Sequence, residues 1–244
     1  MTHGKLATLL ALAALLAGYP SAARAGEDGR RLRPQPAPEI RLAQATTSVP
    51  VYKPPLRGAP GGRVGGGTRG AGRELFVLTV LAPDHTGLTV QEQPSLRWFV
   101  SNKTPYPVEF TVMDPRATQP LVEHRIPAPI EAGLHTIRLA DHNVRLAPGV
   151  AYRWFVAIVP DASRRSRDIL AGGTIERVEP SEELRAKLAR ASKADVPFVY
   201  AEAGVWYDAF TAISELIDTS PGNADLKKQR AALMSQVGLP EIND

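Results

Sequence analysis

The sequence predicts a mainly β protein with a helical C-terminal part: an immunoglobulin-like or fibronectin-type-III-like β-sandwich followed by a tetratricopeptide-like helical hairpin. Three observations carry that expectation. Across residues 74–180, short apolar or alternating runs recur about every 8–15 residues, with Pro, Gly, Asn or Asp between them. After Pro180 the apolar period becomes helical. Ahead of Glu74 neither period is present, and Pro, Gly and Arg dominate.

Taken in chain order, residues 1–25 read as a secretory signal. Lys5 gives a positive start, residues 6–18 are apolar apart from Thr8, and Ala23-Arg24-Ala25 offers the small side chains that a signal peptidase pocket accepts. The apolar run is shorter than the roughly 20 residues that span a bilayer. Cleavage after Ala25 is expected, leaving a periplasmic or secreted chain with no further membrane span. The chain has no Cys, which excludes disulfides, thiolate metal sites, cysteine nucleophiles and lipoprotein attachment.

Residues 26–73 read as a disordered or extended tail. They hold nine basic and three acidic residues, a net of +6, whereas residues 74–244 hold 18 basic and 22 acidic, a net of −4. The folded part is therefore mildly acidic, which argues against a nucleic-acid partner. Within the tail, residues 65–70 (GGGTRG) match the spacing of a dinucleotide loop. Pro and Gly precede them and a strand-like run follows, so the strand-to-helix setting that a pyrophosphate needs is missing. No cofactor is expected. The order of parts in residues 51–73 instead suggests docking. Tyr52 is followed by Lys53-Pro54-Pro55, a stiff rod, and then by Arg57, Arg63 and Arg69 spaced evenly among glycines. A flexible tether is the alternative.

Runs at residues 75–81, 87–92, 95–102, 107–114, 120–127, 134–141, 151–160 and 172–180 supply seven or eight strands. Leu96, Trp98 and Val100 share one face, as do Val108, Phe110 and Val112, while residues 151–160 are apolar on both faces and predict a central strand. Ser181 is placed to cap a first helix, with Glu182 and Glu183 in its first turn. Residues 194–223 predict one helical stretch with a stripe of Trp206, Ala209, Phe210, Ile213, Leu216 and Ile217. Asn223 caps a third helix, closed by Gly238. The spacing of Gly204, Ala209, Ile213, Leu216 and Pro221 is similar to the second helix of a tetratricopeptide repeat, present once. The expected organisation is a signal over 1–25, a tail over 26–73, a sandwich over 74–180 and packed helices over 181–244.

Four stretches carry a resemblance: YKPPLRGAPGGRVGGGTRG, LTVLAPDHTGLTVQEQPSLRWFV, DILAGGTIERVEPSEEL and YAEAGVWYDAFTAISEL. In this order they resemble the domain of unknown function 928 family of exported bacterial proteins, from about Val51 to the C-terminus. The resemblance implies export and a shared two-part architecture, and it assigns no catalytic residues.

The chemistry-bearing residues form no evident catalytic pattern. His85, His124, His135 and His142 lack the close spacing of metal ligands and read as structural. Arg164, Arg165 and Arg167 lie in a hairpin loop that offers an anion site or a solvated turn. Glu202 and Asp208 do not share a helix face. Of the adjacent Trp206 and Tyr207, one is expected to face the core and the other a partner. The leading expectation is a non-catalytic, exported interaction or accessory protein. Its partner would be another envelope protein, bound through Tyr52, Lys53, Pro54, Pro55, Arg57, Arg63, Arg69, Trp206 and Tyr207. A ligand- or carbohydrate-binding sandwich and a hydrolase with a dispersed site are the alternatives.

Overall fold

The computed structural model describes residues 48–55, 62–65 and 76–242, all within the unit Ala45–Asp244. The expected signal, residues 26–47, Arg57 and Arg69 lie outside the described residues.

Among the described residues eight strands form two open sheets: β1 (Leu78–Val80), β2 (Gly87–Thr89), β3 (Ser95–Val100), β4 (Val108–Met113), β5 (Val122–Ile126), β6 (Gly133–Arg138), β7 (Ala151–Ile158) and β8 (Ile169–Arg177). One sheet has the order β1-β3-β6 and the other β2-β8-β7-β4-β5. Every pairing is antiparallel except β2 with β8. The period-two alternation sets the register. Leu96, Trp98 and Val100 from the smaller sheet join Phe110, Val112, Trp154, Val156 and Ile175 from the larger in a single apolar core. The run at 151–160 becomes β7, which lies between β8 and β4, as its two apolar faces predicted.

Four helices follow: α1 (Glu182–Arg190), α2 (Val196–Glu202), α3 (Trp206–Thr219) and α4 (Ala224–Ser235). Their starts are set locally. Ser181 Oγ accepts the Leu184 N–H, and Asn223 Oδ1 accepts those of Asp225 and Leu226. The stretch expected as one helix is two. Gly204 adopts φ +74 between α2 and α3, and a Cβ there would lie 2.5 Å from the Lys53 carbonyl oxygen. Only glycine permits both that backbone and that approach. Helix α3 is buried on more than its predicted stripe. Tyr207, Asp208 and Ser214 are interior alongside Trp206, Ala209, Phe210, Ile213 and Ile217, whereas Leu216 is only partly covered.

Candidate functional site

The segment ahead of the sheets is a strap laid against the fold, extended rather than disordered where it is described. Tyr52 is buried, stacks on His85 and meets the edge of Trp206 at 5.2 Å between ring centroids. Its hydroxyl is 2.9 Å from His85 Nε2, and burial raises its pKa. Its backbone N–H donates to Gln236 Oε1, and the Gln236 amide returns a hydrogen bond to the Pro50 carbonyl. Lys53 N–H donates to Ala201 O, while its ammonium pairs with Glu202 at the surface. Arg63 reaches the carbonyl of Ala82 just after β1 and those of Val237 and Gly238 just beyond α4. Val64 exchanges two backbone hydrogen bonds with Gly172 and so covers part of the β8 edge. Tyr52, Lys53 and Arg63 therefore dock on their own domain. Pro54 and Pro55, which carry the rod, stay more accessible.

Two sequence expectations are corrected. Neither Trp206 nor Tyr207 faces a partner. Trp206 Nε1 donates to Leu81 O at 2.9 Å, and the Tyr207 hydroxyl accepts from Trp154 Nε1 and donates to Thr174 O. Both rings are interior because α3 enters beside the β1–β2 connection, where sheet residues meet it on two sides. Two of the three cations of the 161–168 loop are also engaged rather than free for an anion. Arg165 pairs with Glu109 and Asp168, and Arg164 pairs with Asp161. Arg167 is exposed. The carboxylates they meet come from β4 and from the loop itself, so the charge is largely neutralised locally. The histidines are dispersed. His85 serves the strap, His135 stacks on Trp98, and His124 and His142 adjoin one another at 4.8 Å. Among the described residues no group of three His, Asp or Glu converges as a metal-ligand set. Glu202 pairs with Lys53 and Lys187, apart from Asp208 as expected.

The feature that sequence reasoning missed is Asp208. It lies in the first turn of α3 and is 5% exposed. Its Oδ2 accepts the Val90 N–H at 3.2 Å, which ties the end of β2 to the helix. Thr89 and Gln91 lie near enough to favour its charged form, yet Oδ1 has no hydrogen bond of good geometry. Desolvation dominates and the carboxyl is pushed up to about 6. A cleft of about 340 Å³ opens over it, walled by Tyr200, Gln91, Gln93 and Thr211, with Glu215 on α3 also in its lining. Burial also raises the Tyr200 phenol, with the Asp208 charge adding to the shift.

Because folding raises this pKa, the native state holds the Asp208 proton more tightly than the unfolded chain does. The contribution to stability is full below about pH 4 and is lost as pH rises through about 6. A rise of about two units corresponds to roughly 3 kcal/mol at neutral pH. Asp208→Asn keeps an acceptor for Val90 and removes the charge. Urea unfolding at pH 7.5 is expected to show a gain of about 1–3 kcal/mol that disappears near pH 4. A pH-independent loss would contradict this assignment of the carboxyl.

The strap and the cleft both involve the β1–β2 region and the helices, so their setting is the whole fold rather than one local motif. No curated protein matches the chain. A family model does match, over residues 64–244, from the strap residue Val64 through both sheets and all four helices. The Tyr52 anchor precedes that match. On that span, the chain belongs to the family described as Domain of Unknown Function (DUF928).

Proposed function

We propose that the chain is an exported, non-catalytic accessory protein that binds an extended segment of another envelope protein along the larger sheet. The observation that carries this reading is β5. Among the described residues it pairs only with β4, and Glu123, His124 and Arg125 along it are exposed. An unpaired strand edge presents backbone donors and acceptors to an added strand. Leu121, 42% exposed just before β5, adds apolar contact area at that edge. Export rests on the pattern of residues 1–25.

The finer fold reading belongs to the same proposal. With β1, β3 and β6 in one sheet and β2, β8, β7, β4 and β5 in the other, the strand order supports an immunoglobulin-like sandwich. Tyr152, near the start of β7, accepts the Ala147 N–H through its hydroxyl, as the tyrosine corner of such folds does. The helical part is then one tetratricopeptide-like hairpin that braces the sandwich.

The variant Leu121→Glu tests the reading. The side chain is exposed, so stability should change by only about 0.5 kcal/mol. Recovery of the partner from periplasmic extract with the mature protein as bait should fall at least tenfold. Equal recovery by wild type and variant, or no recovered partner, would sink the proposal. A ligand-binding sandwich is the second reading, and the cleft over Asp208 favours it.

A further inference from the structure

We propose that the cleft between α2, α3 and the β2–β3 connection binds a small aliphatic diamine, with one ammonium seated on Asp208 and the other on Glu215. Asp208 is part of the cleft lining, and its Oδ1 is buried at the edge of the site without a hydrogen bond. A buried acceptor without a donor is costly, and a ligand N–H removes that cost. No Lys or Arg lines the cleft, so no cation in the lining competes for the carboxylate or repels a bound ammonium. The remaining walls are hydroxyls and side-chain amides, from Thr89, Gln91 and Thr211, beside the Tyr200 ring. These provide acceptors for the other ammonium protons and an aromatic surface for the carbon chain.

The spacing of the two carboxylates decides among cations. Asp208 and Glu215 are seven positions apart on α3, about two turns and about 10 Å along the axis. At that backbone separation two ammonium groups on one chain fit the pair better than a single metal ion, whose oxygen ligands sit within about 2–2.6 Å. An extended four-carbon diamine with a hydrogen bond at each end covers a gap of about that length. A neutral polyol would satisfy Oδ1 but leave the buried charge uncompensated. Glu215 is exposed and also faces Arg97 from β3, so it forms the weaker end of the site.

Isothermal titration of the mature protein with 1,4-diaminobutane at pH 7.5 tests the proposal. The expected result is saturable 1:1 binding, weakened at least tenfold by Asp208→Asn and several-fold by Glu215→Gln, with both variants showing cooperative melts. n-Butylamine should bind several-fold more weakly than the diamine, and 1,4-butanediol more weakly still. Absence of saturable binding would overturn the proposal. So would Asp208→Asn binding like wild type, which would show attraction to the acidic surface alone. Equal affinity for the diol would overturn the cation assignment in favour of a polyol site. None of these outcomes depends on the β5 edge, so the two proposals fail independently.

Discussion

Trp206→Ala should destabilise the folded protein by about 3–5 kcal/mol in urea unfolding, the range for an interior aromatic cut back to a methyl. The ring is fully buried, stacks on Phe210 and meets Tyr52 edge-on. Its loss also removes the donor to the Leu81 carbonyl, a buried acceptor at the start of the β1–β2 connection. A cost below about 1 kcal/mol would show that the interior holds together without this ring, and would return Trp206 to the list of surface candidates.

Removal of residues 51–70 should have an effect of the same order, although the described residues of this segment belong to none of the eight strands. Tyr52 leaves a void beside Trp206, Gln236 Oε1 loses the Tyr52 N–H, and the carbonyls of Val237 and Gly238 lose Arg63. Most of the penalty should be reproduced by Tyr52→Ala alone, at about 3 kcal/mol or more, because the buried ring carries most of the apolar contact. For a chain of this size, that loss corresponds to a fall in melting temperature of roughly 6–12 °C. A melting temperature unchanged by the deletion would make the segment a tether. In that case its ordered contacts would contribute nothing to stability.

The parts of this fold that were legible in the sequence are those fixed by nearby residues. Alternation at Val108, Phe110 and Val112 needs only the strand's own period, and the caps at Ser181 and Asn223 act within three residues. The break at Gly204 was harder to read. Its left-handed backbone and close approach answer to Lys53, far away in the chain. The same holds for the strap. Its composition marked it as unusual, but Tyr52 finds its partners at His85, Trp206 and Gln236. No local pattern announces contacts at such separations.

The two misjudged aromatics follow the same logic. A helix lying on one surface buries one stripe, so adjacent Trp206 and Tyr207 should diverge. Helix α3 instead enters beside the β1–β2 connection, where Leu81 receives one side chain and Trp154 the other. Asp208 was hidden by that assumption too. With residues 194–223 read as one helix, it enters only as a partner for Glu202, six positions away. Burial by the end of β2 turned it into the most strongly perturbed carboxylate of the fold's described part.

The N-terminal strap is an integral part of the folded unit, and a double-mutant cycle on Tyr52 and Trp206 measures this. The two rings touch across the junction between strap and helix. Residues in contact couple by about 0.5–3 kcal/mol, whereas distant sites add within a few tenths. Urea unfolding of Tyr52→Ala, Trp206→Ala and the double variant should therefore give a double-variant cost smaller than the sum of the single costs by at least about 0.5 kcal/mol. Strict additivity of the two substitutions would mean that Tyr52 does not sit on Trp206 in solution, and would contradict the docked strap.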